Sequence, residues 1–180
     1  MKKEIILKGK GFIIRTWKKG DEFSLAKNAN NKKIARNMFE GFPYPYTLNE
    51  AKKWVKFCLK KNKIGPITGF AIEIDNEVAG SVGGEINIKK PFILGFGYWL
   101  GEKYWGKGIM SKAVKIYLDY ILNKFKKINR IDSQTFPWNK GSQKVLLKNG
   151  FKLEGISRKS YLKDGKIVDN YNFAKLRNEK

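Results

Sequence analysis

Apolar residues repeat along this chain with two distinct periods, and the change from one to the other marks its elements. Met110, Ala113, Val114, Tyr117, Leu118 and Ile121 recur at helical spacing, which predicts a helix over Met110–Phe125. A second helix is predicted after Thr47-Leu-Asn-Glu50, a capping box, with Leu48, Ala51, Val55, Cys58 and Leu59 on one face and lysines over its other positions. Asp21–Ala29 and Lys140–Lys148 read as short helices, the latter ending at Asn149-Gly150. Strand character appears at Gly11–Trp17, Thr68–Ile74, Val78–Ile88, Phe92–Leu100, Ile128–Phe136, Phe151–Ser160 and Ile167–Leu176. Asp75-Asn76 and Asp164-Gly165 mark hairpin turns. Phe92–Leu100 is almost wholly apolar, so a central strand buried on both faces is expected there. Asn37–Tyr46 carries two prolines and four aromatic residues and reads as an extended loop. No repeat, linker or low-complexity tract divides the sequence, so one α+β domain over residues 1–180 is expected, its curved and mostly antiparallel sheet flanked by helices.

Composition removes several chemistries. There is no His among 180 residues and a single Cys. That excludes a Ser-His-Asp triad, a Cys-His pair and imidazole ligation, so no metal site is expected, and it excludes an internal disulfide. Proton transfer is left to carboxylates, Tyr, Lys, a terminal amine or water. Cys58 falls on the apolar helix face and reads as a core side chain. The longest uncharged run is the eleven residues Pro91–Gly101; a membrane helix needs about 20. The opening MKKEIILKGKG has basic residues without an apolar h-region, and one lone Cys fits a reducing compartment, so a cytoplasmic protein with no membrane association is expected.

Lys and Arg number 38 against 16 Asp and Glu, a formal charge of +22. One reading is an anionic partner such as nucleic acid, a ribosome or a polyphosphate cofactor. The other is compositional: lysines are scattered along the whole chain, alongside abundant Asn and Ile, without a block of like charge or an arginine stripe.

The segment that carries chemistry is Tyr98–Ala113, YWLGEKYWGKGIMSKA, where a buried strand ends, a glycine-containing loop follows and a long helix begins. Gly106 and Gly108 let the main chain come close to a ligand, and the first turn of a helix offers unpaired N–H groups with a partial positive charge. Together they make an anion cradle suited to a phosphate or diphosphate, with Lys103 and Lys107 nearby. Gly101–Lys107 nearly spells a phosphate-binding G-x-x-x-x-G-K loop, but Gly108 stands where Ser or Thr would bind magnesium. Gly106-Lys-Gly108-Ile-Met-Ser111 nearly spells a dinucleotide fingerprint, but Ser111 replaces the third glycine and the loop comes late in the chain. A structural turn in which the glycines serve only geometry is a further reading.

A third motif covers more of the chain. The loop resembles the Q/R-x-x-G-x-G/A acyl-CoA diphosphate loop of the GCN5-related N-acetyltransferases, the GNAT family. On that alignment Trp105 takes the Q/R place, Gly108 the first Gly and Met110 the last Gly/Ala, so two of three fixed positions depart. Trp there, within Y-W-G-K-G, is similar to the RimJ/RimL ribosomal-protein branch, although Lys112 stands where that branch usually has Glu. Asn139-Lys-Gly-Ser142, then Leu146, Lys148-Asn-Gly-Phe151, Glu154-Gly155 and Arg158, resemble the branch's N-x-x-S…L-x-K-x-G-F-x-x-E-G…R signature. Phe42-Pro-Tyr-Pro-Tyr-Thr47 resembles its acceptor-side loop, and the resemblance spans about residues 11–174.

The resemblance implies acetyl transfer from acetyl-CoA to a primary amine, most naturally a protein or peptide N-terminal α-amine, by direct attack. It implies cofactor contacts from Trp99 and Leu100 at the strand end, from Trp105, Gly106, Lys107, Gly108, Ile109, Met110 and Ser111 in the loop and first helical turn, and from Asn139. Asn139 also has the plain reading of a helix N-cap. Many family members protonate the leaving thiolate from a Tyr whose place is Leu146 here; in the RimL-like branch the acid is the Ser that matches Ser142. Branch members often carry a strand Glu where this chain has Gly95, and Glu85 is the candidate base, with proton loss to water as the alternative. Glu40, Tyr44 and Tyr46 are candidate acceptor-side residues, with a core-packing loop as the other reading of 42–46. The competing classes are a non-catalytic nucleic-acid- or ribosome-binding module on the same fold and an acetyltransferase of small amines.

Overall fold

The computed structural model describes residues 4–64 and 68–179. Among the described residues eight strands and five α-helices follow one another as β1 (Ile6–Gly9), β2 (Phe12–Arg15), α1 (Asp21–Ala29), α2 (Lys32–Ala35), α3 (Leu48–Ile64), β3 (Gly69–Ile74), β4 (Glu77–Ile86), β5 (Ile93–Leu100), α4 (Ile109–Lys124), β6 (Arg130–Thr135), α5 (Lys140–Lys148), β7 (Lys152–Lys163) and β8 (Lys166–Leu176). A 3₁₀ turn, Glu102–Tyr104, lies between β5 and α4. The sheet order is β1-β2-β3-β4-β5-β6-β8-β7, with β5 and β6 parallel and the β1–β2, β2–β3, β3–β4, β6–β8 and β7–β8 pairs antiparallel. This is the expected mixed α/β class. The chain divides into two compact units, residues 1–83 with 98–117 and residues 84–97 with 118–180.

In the first unit the β3–β4 hairpin turns on Asp75 and Asn76, both at positive φ (50° and 61°), the backbone of a tight turn matched to strand twist. α3 starts where expected: Thr47 Oγ1 accepts from Glu50 N–H at 3.3 Å. Ala51, Val55 and Cys58 are buried on its inner face, whereas Leu48 is exposed. These pack with Trp17, Leu25 and Val78. A charged cluster sits inside this unit. The Arg15 guanidinium holds Asp21 in a two-pronged pair (2.7 and 2.8 Å) and Glu73 at 2.6 Å, with Arg15 and Asp21 only 2% and 3% exposed. Burial opposes each charge, but the hydrogen bonds outweigh it, raising the Arg15 pKa and lowering that of Glu73.

In the second unit β7 and β8 form a long hairpin around Asp164 and Gly165, again both at positive φ. Phe96 stacks on Phe151, ring centroids 5.8 Å apart, and Leu146 is fully buried. Arg177 donates to the carbonyls of Leu122, Phe125 and Ile128 at 2.7–2.8 Å, satisfying main-chain acceptors where α4 ends.

Three expectations change. β1 and α2 were not anticipated, and β5 is not buried on both faces. Leu94 and Phe96 are buried but Gly95 and Gly97 are exposed: the two glycines leave the middle of the strand's second face without side chains. The parallel ladder runs Ile93↔Arg130, Leu94↔Ile131, Gly95↔Asp132. Beyond it, Gly97 has no register partner on β6 among the described residues, and a Cβ built on it meets nothing within 4 Å.

Candidate active site

The strand-to-helix loop is braced from below and open above. Gly101 N–H donates to Ala79 O at 2.8 Å, the 3₁₀ turn closes through Tyr104 N–H to Gly101 O (3.0 Å), and Trp105 Nε1 reaches back to Leu100 O at 2.7 Å. Trp99, Leu100, Tyr104 and Met110 are buried, which anchors both ends. Between them Gly106 and Gly108 adopt φ of +75° and +69°, a region that L side chains rarely occupy. A Cβ at either position would meet no heavy atom within 4 Å. The glycines therefore serve backbone conformation, and no atom of the described residues fills the space over them. The first main-chain bond closing α4 is Lys112 N–H to Gly108 O at 3.2 Å, so helix geometry leaves the N–H groups of Ile109 and Met110 without an acceptor inside the helix. Gly106, Lys107 and Gly108 are exposed, as is Trp105, while Ile109 and Ser111 are half-buried.

Carboxylates hold the loop's flank. Glu102 accepts from Asn31 Nδ2 at 2.7 Å and from Lys33 Nζ, and these partners, Lys33 foremost, hold its carboxyl below the usual range. Asn31 Oδ1 meanwhile caps α2 through Lys33 and Ile34 N–H. Glu77 binds Lys27 (2.7 Å) and Lys103 (3.2 Å), which pull its pKa down to about 2. Lys103 and Lys107 both stand over the Tyr104 ring, at 4.8 and 6.0 Å. Sequence reasoning singled out neither Asn31 nor Lys33. An Asn followed by Lys-Lys-Ile-Ala is a capping signal, but its partner Glu102 lies 71 residues away.

The 42–46 loop divides. Tyr46 is buried, packed on Phe42 at 4.9 Å, and Phe42 in turn meets Trp99 at 6.1 Å. Burial pushes the Tyr46 hydroxyl up to about 12. Tyr46 is thus a core residue beneath the end of β5, while Tyr44 and Glu40 are exposed. Cys58 is also a core group, its thiol raised to about 12 by burial.

In the second unit Asn139 Oδ1 caps α5, accepting from Ser142 N–H at 3.2 Å, so this pair is brought together as a cap. Gln143 Nε2 reaches Phe136 O and Pro137 O (3.1 and 3.2 Å), and Trp138 and Tyr161 pack on the Phe136 ring. Gln143 and Phe136, which fix that turn, were not read from the sequence. Glu85 is exposed on β4.

A family model for the acetyltransferase (GNAT) domain matches residues 12–152. The chain belongs to the GNAT N-acetyltransferases. It is 30% identical over 138 residues to the uncharacterized N-acetyltransferase p20 of Bacillus licheniformis, covering 75% of this chain and 77% of that one. It is 41% identical over 80 residues to the probable N-acetyltransferase YjcK of Bacillus subtilis, a match spanning 44% of each chain and so less than half of that relative's length. Over 74 residues it is 35% identical to the ribosomal protein uS5-alanine N-acetyltransferase of Escherichia coli, 41% of this chain and 38% of that one. Two solved structures share the fold: the ribosomal-protein-S5-alanine acetyltransferase of Vibrio fischeri (TM-score 0.83, 24% identity, 97% of both chains) and RimL, a ribosomal L7/L12 α-N-protein acetyltransferase, in complex with coenzyme A (TM-score 0.81, 23% identity, 96% of this chain and 98% of that one). GNAT acetyltransferases use acetyl-CoA, and the open, glycine-bent main chain at the N-terminus of α4 fits its diphosphate. No helix of the described residues is long and apolar enough to cross a membrane.

Proposed function

We propose that this GNAT protein acetylates the α-amine of a protein or peptide N-terminus. The observation that carries the acetyl-CoA half of the reading is the Gly106–Gly108 bend, which bares main-chain N–H groups to open space at a helix N-terminus; the acceptor half rests on the relatives. Bound there, acetyl-CoA supplies a thioester-activated acetyl group. Main-chain amides from Gly106 to Ser111 grip the diphosphate, Lys107 adds charge, and the side chains of Trp99, Leu100, Trp105, Ile109 and Met110 form the loop's apolar support. Asn139 contributes through the amide nitrogen that its capping role leaves over. A main-chain N–H near the end of β5 polarises the acyl carbonyl.

The neutral amine attacks that carbonyl carbon: a C–N bond forms, the C–S bond breaks, and the sulfur leaves as a thiolate. Ser142 would relay a proton to the thiolate, taking one from solvent as it gives its own. The ammonium's proton goes to Glu85 or to water, and a terminal α-amine, with its pKa of about 8, is already partly neutral near pH 7. Exposed Glu40 and Tyr44 serve the acceptor; Tyr46 serves it only as packing under Trp99. The uS5-alanine acetyltransferase relative supports a peptide acceptor. The test is mass spectrometry of N-terminal peptide libraries and small-amine pools incubated with protein and acetyl-CoA. The reading expects mass gains of one acetyl group on peptide α-amines. Acetylation confined to small amines overturns the acceptor, and no acetylation in either pool overturns the activity.

A further inference from the structure

Three carboxamides stand close together where a sheet has no use for them. On β6, β8 and β7 the register aligns Gln134↔Asn172 and Gly155↔Asn172 in one row and Ser157↔Asn170 in the next row on the same face. Asn is a poor strand former and Gln no better than indifferent, so strand propensity does not account for Gln134, Asn170 and Asn172 together. They are partly linked. Gln134 Nε2 donates to Asn172 Oδ1 at 3.0 Å, and Asn172 Nδ2 donates to Ser157 Oγ at 2.9 Å. Gly155 leaves the third place of its row without a side chain, and a Cβ there would meet nothing within 4 Å. The row therefore contains a notch.

The decisive atom is Asn170 Oδ1. The residue is 6% exposed, and this oxygen has no hydrogen-bond partner among the described residues. An unsatisfied buried acceptor is destabilising, and Leu or Val would fill the place without that cost. A water or a bound group would complete this oxygen. The linked carboxamides beside it are uncharged and carry both donors and acceptors, so they suit a neutral group with the same alternation. A main-chain peptide has that chemistry; a polyamine or a phosphate does not.

We infer that the Gln134–Asn172–Ser157–Asn170 strip is a binding site for peptide main chain, with Asn170 Oδ1 accepting from a peptide N–H and the Gly155 notch admitting the chain. The inference rests on the peptide-acceptor reading and makes Asn170 a specificity-determining residue of this enzyme. It concerns binding alone, with no bond made or broken at the strip.

The experiment compares wild type with Asn170→Leu and Gly155→Val, using free-N-terminus tetrapeptide amides, the matching single amino-acid amides, and acetyl-CoA. Asn170→Leu is expected to raise KM for the tetrapeptides about tenfold, the effect of one lost hydrogen bond to a buried group. KM for the amino-acid amides, KM for acetyl-CoA and kcat should stay within about twofold. Its thermal midpoint without ligand should equal or exceed that of wild type, because the orphan acceptor is gone; a residue that only supported the sheet would lower it. Gly155→Val, which fills the notch, should raise the tetrapeptide KM in the same selective way. Wild type that acetylates tetrapeptides, with both variants keeping the tetrapeptide KM, overturns the strip alone. Wild type that acetylates amino-acid amides and no tetrapeptide overturns the peptide-acceptor reading and the strip with it.

Discussion

At the scale of single residues, Gly108 concentrates the account. An L residue at φ +69° costs about 1–2 kcal/mol, and its side chain would project into the space over the loop. Gly108→Val should raise KM for acetyl-CoA about tenfold or more, against a modest drop in thermal midpoint; steady-state kinetics checks the first and calorimetry the second. An unchanged KM would mean that the bend serves folding only. Ser142 belongs to a different step. Ser142→Ala should lower kcat by about a hundredfold, the lower range for a general acid, with KM for acetyl-CoA nearly unchanged. Full turnover in that variant would remove the hydroxyl from the mechanism. Leu146, where many relatives carry an acidic Tyr, is fully buried and offers no substitute proton.

At the scale of elements, buried charge and exposed charge behave differently. Arg15 joins β2 to Asp21 of α1 and to Glu73 of β3. Arg15→Met should destabilise by about 3–5 kcal/mol, because it strands two buried carboxylates, and replacing all three groups with apolar residues should recover most of it. Chemical denaturation measures both. Among the described residues Glu73, Glu77, Glu102, Glu154 and Glu179 all contribute to the acid response. Their folded pKa values lie below the ordinary value of 4.5, with Glu77 at about 2. A depressed pKa gives stability that is fully present above the unfolded value and lost as pH falls toward the folded one. Stability should therefore hold from neutrality to about pH 4.5 and decline from there toward pH 2. Glu77→Gln should flatten part of that decline, and an identical pH profile would contradict the assignment.

The elements also separate what local sequence can reveal from what it cannot. α1 and α5 have the predicted ends because their signals are local: acidic residues at the first turn of α1, and Asn139 and Asn149-Gly150 bounding α5. Both hairpin turns were legible because Asp-Asn and Asp-Gly tolerate positive φ. The glycine loop was legible for the same reason, since its chemistry is that of the main chain. β1 was missed because Lys8 and Gly9 interrupt a four-residue strand, and α2 because four residues show no helical period. Tyr46 closes a proline-rich run that suggested a presented side chain, and only packing against Phe42 shows otherwise. The Arg15–Glu73 pair spans 58 residues and the Asn31–Glu102 pair 71, distances at which one sequence carries no signal. Asn170 looks ordinary until the burial of its oxygen is known.

At the scale of the whole molecule, the charge of +22 finds an economical use in anionic coenzyme A, whose approach it would accelerate and whose binding should weaken as salt rises. Family membership gives the reaction class, and the proposal puts the cofactor's diphosphate on the glycine loop. Because the cofactor binds only the folded chain, coenzyme A at about a hundred times its Kd should add about 2.7 kcal/mol of stability, visible as a higher thermal midpoint. The central claim is narrower than stability: main-chain amides of residues 106–111 bind a diphosphate. Titration calorimetry with coenzyme A and, separately, with pantetheine, which lacks the diphosphate, tests it most directly. The account predicts a one-to-one heat for coenzyme A and binding at least about tenfold weaker for pantetheine. Equal affinities, or no heat with coenzyme A, would contradict it.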